Sequence, residues 1–433
     1  MDLNKILDIT HGKCLNDLKN NKIHRIVTDT RKLKKNDLFI ALKGKKYNGH
    51  DFVNNIKKAS GIIIDEDIKI TTKIPIIKVD STYNVLYLIG SYLRTKYDIP
   101  LIAITGSNGK TTTKELISFI LDSKYNVLKN NESKNNLIGV SDTLFHLNDK
   151  YDLIVMEMGM NHKGEISLLS RMCKPNIGII TNIGSSHIGY LKSRRNIFNA
   201  KLELKDGLIG TMIVNGDDKY LKKIKKSYKC GREYYNDLIA YNIYSNSEYL
   251  EFSIYLDKEY RIKFNTPGIH FINDILIAIK TCLIYDIDID TIIRKINDFK
   301  MVDKRMNIKH YKNTTIIDDC YNASYESVSA GLEVLKNIKQ DKLIILGDML
   351  ELGKYSFKYH YKLNFILHKI DNKQVLTVGK YTKYIKGIHF NNNEDLINYL
   401  KDFNISNKYI YIKGSHGMHL EEIKDFLENK LIF

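Results

Sequence analysis

Apolar positions recur along this chain in two rhythms. Short runs rich in β-branched and aliphatic residues, Ile99–Thr105, Leu153–Met158 and Ile177–Ile183, alternate with stretches whose apolar residues return every three or four positions. In Thr112–Tyr125, for example, Leu116, Phe119 and Ile120 share one face. The first rhythm predicts strands and the second amphipathic helices, and their alternation predicts a mostly parallel α/β sheet. A second series begins near residue 314, with strands at Thr315–Asp318, Lys342–Leu346, Gln374–Val378 and Tyr409–Ile412. Its helices lie at Glu326–Lys336, Tyr359–Ile370, Glu394–Phe403 and Leu420–Asn429, which predicts a separate Rossmann-like unit. The first 98 residues differ, with short strands around the turn-rich segment Lys43–His50. A single core stops growing at about 250–300 residues, so 433 residues predict an α/β protein of three domains, 1–98, 99–309 and 310–433.

Composition narrows the class. With 43% hydrophobic and 27% charged residues the chain has the balance of a soluble globular protein. Its apolar stretches, such as Leu343–Leu346, fall far short of the about 20 residues a membrane helix needs, so no membrane span is expected. Met1–Thr10 mixes Asp, Asn and Lys into its apolar positions, unlike a signal peptide, and a cytoplasmic location is expected. Cys14, Cys173, Cys230, Cys282 and Cys320 lie far apart without a CxxC pair and read as reduced thiols. The net charge of +17 suits a polyanionic partner, either nucleic acid or nucleotide. The lysines form no dense run, and the excess of Lys, Asn and Ile with Trp absent reads as codon bias, so no nucleic-acid partner is expected.

The chemistry starts where strand Ile99–Thr105 gives way to Gly106-Ser107-Asn108-Gly109-Lys110-Thr111-Thr112. A glycine-rich turn between strand and helix lets backbone N–H groups and the helix N-terminus cradle phosphates, with Lys110 on the β/γ-phosphates and the Thr111 hydroxyl on Mg²⁺. Two residues separate the glycines instead of the usual four. The plain alternative, a chance glycine turn, does not explain its place between strand and helix. Glu157 ends the next apolar run and His187 follows the one after. Singly they are a helix cap and a loop histidine; together, beyond the carboxyl ends of neighbouring strands, they are read as metal ligands. Lys201, taken alone, reads as a surface lysine.

The short loop, followed by Glu157-Met158-Gly159-Met160-Asn161-His162, the run from Lys174 to His187 and Asn199-Ala200-Lys201-Leu202-Glu203, resembles the Mur ligase superfamily. The resemblance extends to Thr28-Asp29-Thr30-Arg31, Asp37–Gly44 and Asn48–Phe52, which look like the UDP-binding domain of the tripeptide- and pentapeptide-forming members. Asp318–Ala323, Gly347–Gly353 and Lys413-Gly414-Ser415 resemble the member that adds D-alanyl-D-alanine. Together these segments span essentially the whole chain. The resemblance implies a UDP-substrate domain, a central ATP-binding domain and a C-terminal ligase domain closing around UDP-N-acetylmuramoyl-tripeptide, ATP and D-alanyl-D-alanine. ATP would phosphorylate the peptide's terminal carboxylate and the dipeptide amine would attack the acyl phosphate. It also implies a monomer using two Mg²⁺ ions.

By the same resemblance Lys110, His187 and Lys201 are catalytic, and Gly106 through Thr112 with Asn273, Arg305 and Asp319 bind ATP. Thr111, Glu157, His187 and Lys201 would hold metal, with Lys201 carbamylated by CO₂. Thr30, Arg31, Lys43, Gly44, Asn135, Asn136, Tyr321 and Asn322 would bind substrate. Plain alternatives are a helix cap for Asn273 and a hinge salt bridge for Arg305. Glu132-Ser133, Ser141, Tyr325 and His416 depart from the family pattern, which has Gly-Asn, Pro, Pro and Arg there. The nearest rival, the sister ligase adding lysine or diaminopimelate, carries YAHTPD and DNPR runs absent from this chain. Folylpolyglutamate synthase lacks the domain of about 100 residues ahead of the phosphate loop. A dead scaffold would have lost Lys110, Glu157 or His187, and a nucleic-acid-binding ATPase would show steep salt dependence.

Overall fold

Leu101–Thr105, Leu153–Glu157 and Ile177–Ile180 bury every residue, as strands covered on both faces must. In the computed structural model, which describes residues 1–18, 22–131 and 134–432, they form the centre of a seven-stranded, wholly parallel sheet. Its order runs Leu238–Ile239, Ser227–Gly231, Thr211–Asn215, Ile177–Ile180, Leu101–Thr105, Leu153–Glu157, Val127–Lys129. The chain leaves Leu101–Thr105 to one side and later continues on the other, so the end of this strand is a topological switch point, where α/β sheets bind ligands. Ile104 pairs with Glu157 and Thr105 with Ile180. The phosphate loop, Glu157 and the approach to His187 therefore emerge side by side.

Two further α/β sheets flank this one in sequence. The first has five strands, Lys13–Cys14 running antiparallel to Ile76–Lys78 and the other three parallel. The last has six strands, and its core is the parallel set Thr314–Asp318, Lys408–Lys413, Asp341–Gly347 and Lys373–Val378. Buried side chains of the central sheet and of the C-terminal unit, among them Val328, Leu332 and Leu352, belong to one continuous core. We keep the three-domain division as a proposal; strand Asn307–Tyr311, which straddles its last junction, pairs antiparallel with Thr314–Asp318 in the C-terminal sheet.

The expected strands and helices of both series are present with ends moved by a few residues. Ile177–Ile183 shortens to Ile177–Ile180 because Thr181 and Asn182 turn their side chains onto the phosphate loop. The helix expected from Thr112 starts at Lys110, directly after Gly109. Unforeseen are strand Asn307–Tyr311 and an antiparallel three-stranded sheet, Tyr241–Ser245, Leu250–Tyr255 and Glu259–Phe264. In Glu259–Phe264 burial alternates strictly, Tyr260, Ile262 and Phe264 pointing inward.

Helix Tyr325–Leu335 crosses the sheet at Gly331, where a Cβ would lie 1.9 Å from the Tyr411 hydroxyl. That fully buried hydroxyl donates to Asp319 at 3.0 Å, a bond that any shift away from the new Cβ would strain. Overpacking costs about 1–3 kcal/mol, more than the roughly 1 kcal/mol alanine gains over glycine in a helix. Gly331→Ala is therefore expected to lower the urea midpoint; an unchanged or higher midpoint would show that the helix shifts freely.

Candidate functional site

The loop's shape follows from its glycines. Gly106 has φ 153°, and a Cβ there would meet Thr181 Oγ1 at 1.8 Å; Gly109 has φ 80°, and a Cβ there would meet Asp274 Oδ1 at 2.5 Å. Thr181 Oγ1 and Asn182 Nδ2 donate to the Asn108 carbonyl at 2.5 and 3.0 Å, and Asn182 Oδ1 accepts from Asn108 N at 3.0 Å. Helix Lys110–Leu121 begins without a side-chain cap, which leaves its first N–H groups for an anion.

Cations gather beside this loop. Lys110 Nζ donates to the carbonyls of Gly106 and Ser107 at 3.1 and 3.4 Å, and Lys201 Nζ reaches the same Gly106 carbonyl at 2.8 Å. Lys201 is only 1% exposed, which overturns its plain reading as a surface lysine. Burial holds Lys110 below the ordinary lysine range against the pull of Glu157, and burial followed by Lys110 holds Lys201 well below it. Thr111 Oγ1 donates to Glu157 Oε2 at 2.8 Å and accepts from Arg305 Nη2 at 2.9 Å, while Asn135 Nδ2 donates to Glu157 Oε1 at 2.9 Å. His187 stands in the left-handed region, φ 64°, with Nδ1 3.0 Å from Glu351 Oε2 but outside hydrogen-bonding geometry. Burial, then Lys201 and Lys110, pushes His187 down to about 3.

These groups border a cavity of about 890 Å³ between the central and C-terminal sheets. Ser107 through Thr112, Asn135, Asn136, Glu157, His187, Asn273, Arg305, Asp319, Tyr321 and Asn322 all line it, whereas Gly106 and Lys201 lie outside its wall. Asn273 is the second residue of helix Ile272–Ile284, not its cap, and its buried Oδ1 has no hydrogen-bond partner among the described residues. Asp319 accepts from Met306 N, the Tyr411 hydroxyl and Lys413 Nζ at 3.2, 3.0 and 2.7 Å. The Arg305 guanidinium lies over the Tyr321 ring at 4.0 Å, and Asn136 caps helix Leu137–Leu144. Asn322 Oδ1 accepts from Ala323 N at 2.9 Å.

Thr30, Arg31, Lys43 and Gly44 do not line this cavity. Exposed Arg31 pairs with Asp29 at 2.9 Å, Lys43 with Glu66 at 2.7 Å, and Gly44 N donates to Tyr47 O at 2.8 Å. Of the departures from the family pattern, Glu132 and Ser133 lie outside the described residues. Ser141 is buried and donates to Leu86 O at 3.2 Å, Tyr325 opens its helix, and His416 is exposed, its ring 6.2 Å from Tyr321.

Sequence reasoning did not single out Glu326, Ser324 or Glu351. Glu326 Oε2 accepts from Ser185 N and Oγ at 2.9 and 2.7 Å, and Oε1 pairs with Arg194. Ser324 Oγ donates to Asn108 Oδ1 at 2.9 Å. The start of helix Tyr325–Leu335 thus grips both the phosphate loop and the segment carrying His187. Glu351 lies in the turn that follows strand Asp341–Gly347, beyond the carboxyl end of a buried strand as His187 is. Among the described residues no three His, Cys, Asp or Glu side chains cluster as a metal cage. The cation donors on offer are a hydroxyl, carboxylates and one imidazole.

Comparison with known proteins agrees across the chain. Residues 22–82 match the Mur ligase family catalytic domain, 104–282 the Mur ligase middle domain and 304–416 the Mur ligase glutamate ligase domain. The UDP-N-acetylmuramoyl-tripeptide–D-alanyl-D-alanine ligase of Bacillus subtilis is 33% identical, over 94% of this chain and 94% of its own. The ligase of the same name from Buchnera aphidicola of Baizongia pistaciae is 33% identical over 99% and 98%. The crystal structure of MurF from Acinetobacter baumannii superposes with a TM-score of 0.91 at 27% identity, covering 98% of each chain.

The Asp274 carboxyl packed under Gly109 yields a pH test. Burial, opposed by Arg305, pushes it up to about 8. An unfolded aspartate titrates near 3.9, so between those values the folded chain holds the extra proton and its stability falls as pH rises. Asp274→Asn is expected to gain stability relative to the parent between about pH 5 and about pH 8 in denaturant titrations; parallel curves would mean that Asp274 is ionised when folded.

Proposed function

The chain belongs to the Mur ligase family, and from that membership we infer that it is the ATP-dependent ligase joining D-alanyl-D-alanine to UDP-N-acetylmuramoyl-tripeptide for peptidoglycan synthesis. The observation that carries this reading is Lys110 and the Thr111–Glu157 contact at the floor of the cavity, backed by buried Lys201 on the Gly106 carbonyl. Such a floor suits a triphosphate with a divalent cation and a carboxylate brought against it.

The residues fit magnesium, which takes oxygen ligands and keeps several waters. Thr111 Oγ1 and Glu157 Oε2 are adjacent oxygens, and His187 Nδ1 lacks a hydrogen-bond partner among the described residues. When bound, magnesium ions would neutralise phosphate oxygens during transfer. The loop amides and Lys110 hold the β- and γ-phosphates. Asn273 offers its unpartnered Oδ1 to the adenine amino group, and Arg305 and Asp319 border the nucleotide. An oxygen of the tripeptide's terminal carboxylate attacks the γ-phosphorus and ADP leaves. The D-alanyl-D-alanine amine then attacks the acyl carbon, loses a proton and expels phosphate. Lys110 offsets charge that builds at the transferring phosphoryl group. Contacts from Ser324, Glu326 and Glu351 keep the C-terminal unit over the loop, shielding the acyl phosphate from water.

Lys201 has the surroundings of a carbamate site. Burial favours its neutral amine, the form that adds CO₂, and the resulting anion would relieve repulsion with Lys110. Thr30, Arg31, Lys43 and Gly44 would engage the UDP portion, and Asn135, Asn136, Tyr321 and Asn322 the peptide. No helix among the described residues is long and apolar enough to cross a membrane. We read the enzyme as a cytoplasmic monomer with no nucleic-acid partner.

Phosphate release from ATP with UDP-N-acetylmuramoyl-tripeptide is expected to require D-alanyl-D-alanine; a preference for lysine or diaminopimelate, with UDP-muramoyl-dipeptide as co-substrate, would move the chain to the sister ligase. Lys110→Ala should cut kcat by roughly 10²–10³, the scale of losing one transition-state donor, with an unchanged circular dichroism spectrum. Lys201→Arg should be as inactive as Lys201→Ala, because arginine forms no such carbamate. A fully active Lys201→Arg enzyme would remove Lys201 from the mechanism.

A further inference from the structure

Outside the cavity lining, helix Ser356–Leu367 carries a line of half-exposed rings. Phe357, Tyr361 and Phe365 are 55%, 49% and 64% exposed, and Tyr384 from the next segment adds a ring at 36%. They form one strip: Phe357 stacks on Tyr361 at 5.8 Å, Tyr361 meets Phe365 edge-on at 6.1 Å, and Tyr384 meets Phe357 edge-on at 4.7 Å. Large exposed apolar side chains in a contiguous row mark a docking surface more often than scattered ones do. The scaffold beneath is fixed, since Asn364 donates to Tyr384 O at 2.9 Å and accepts from Lys386 N at 2.7 Å.

The charge around the strip selects the partner. Between residues 352 and 393 the chain has eight lysines and a single acidic residue, Asp371. Lys358 and Lys362 follow Phe357 and Tyr361 on the helix, and Lys383 and Lys386 flank Tyr384 on the neighbouring segment. Lysine rims beside aromatic rings are the composition of an interfacial membrane contact, in which rings enter the headgroup boundary and ammonium groups meet anionic lipid. A second copy would bring the same lysines against these ones. Single-stranded nucleic acid stacks bases on separate, open ring faces, whereas here the rings occupy one another's faces and edges.

We propose that the Phe357–Tyr361–Phe365–Tyr384 strip and its lysine rim dock the protein reversibly on an anionic lipid bilayer surface. The inference does not rest on the ligase reading, because none of these residues lines the cavity.

The full chain contains no Trp, so Phe365→Trp supplies a single reporter. Phosphatidylcholine vesicles containing phosphatidylglycerol are expected to sediment about tenfold or more of the protein bound by phosphatidylcholine alone, since each lysine near an anionic surface adds severalfold to the affinity. High salt should reverse the binding, and the tryptophan emission should shift to the blue only with anionic vesicles. Lys358→Glu combined with Lys383→Glu, and separately Phe357→Ala combined with Tyr361→Ala, should lose vesicle binding while phosphate release in solution is unchanged. Equal sedimentation with both vesicle types, or none with either, would overturn the proposal. So would an emission shift produced by a single-stranded oligonucleotide and not by vesicles, or a concentration-dependent dimer that the same substitutions abolish.

Discussion

Two lysine side chains converge on the carbonyl of Gly106, and the rest of the site answers the cost of holding their charge out of water. Burying one ammonium group is unfavourable, and burying two close together adds repulsion, so the arrangement calls for anions to complete it. Glu157, at the end of a central strand, and Glu351, in the turn after a C-terminal strand, supply part of that charge. Phosphate oxygens and, at Lys201, a carbamate are the complements proposed for the remainder. The loop can be this close to both lysines because Gly106 and Gly109 lack the Cβ atoms that Thr181 and Asp274 would obstruct.

The C-terminal unit takes part in the site directly. Ser324 bonds the phosphate loop, Glu326 bonds Ser185 two residues before His187, and Glu351 lies beside His187 itself. Asp319 is held from behind by Lys413 and Tyr411, so that the cleft's far wall is as firmly set as its floor. With the shared core, these contacts make the cavity a product of two units. An acyl phosphate formed there is sheltered by the same contacts that position the groups reacting with it.

Parts of this were legible in the amino-acid sequence because their determinants are local. The phosphate loop is one contiguous run between a strand and a helix, Glu157 ends a buried strand and His187 follows another, so their positions could be read from spacing. Lys201 was not, since helix Arg194–Leu202 is largely polar and buries only Ile197, Ala200 and Lys201, leaving no apolar stripe to betray its inward face. Glu326 escaped notice because its function in the fold depends on Ser185 and Arg194, 141 and 132 positions away. The sheet at 241–264 was missed although Glu259–Phe264 alternates strictly, because the parallel α/β rhythm on both sides set the expectation. Thr30, Arg31, Lys43 and Gly44 sit in a short helical turn and a loop outside the cavity lining, and their assignment continues to rest on resemblance.

The chemistry at the centre of the site is attack by a carboxylate on the γ-phosphorus of ATP, with Lys110 offsetting the charge that builds there. UDP-N-acetylmuramoyl-tripeptide labelled with ¹⁸O in its terminal carboxylate tests it most directly, with mass spectrometry of the phosphate released on ligation to D-alanyl-D-alanine. The account predicts one labelled oxygen in each phosphate and the other in the new amide carbonyl. Label in AMP, or phosphate free of ¹⁸O, would contradict it.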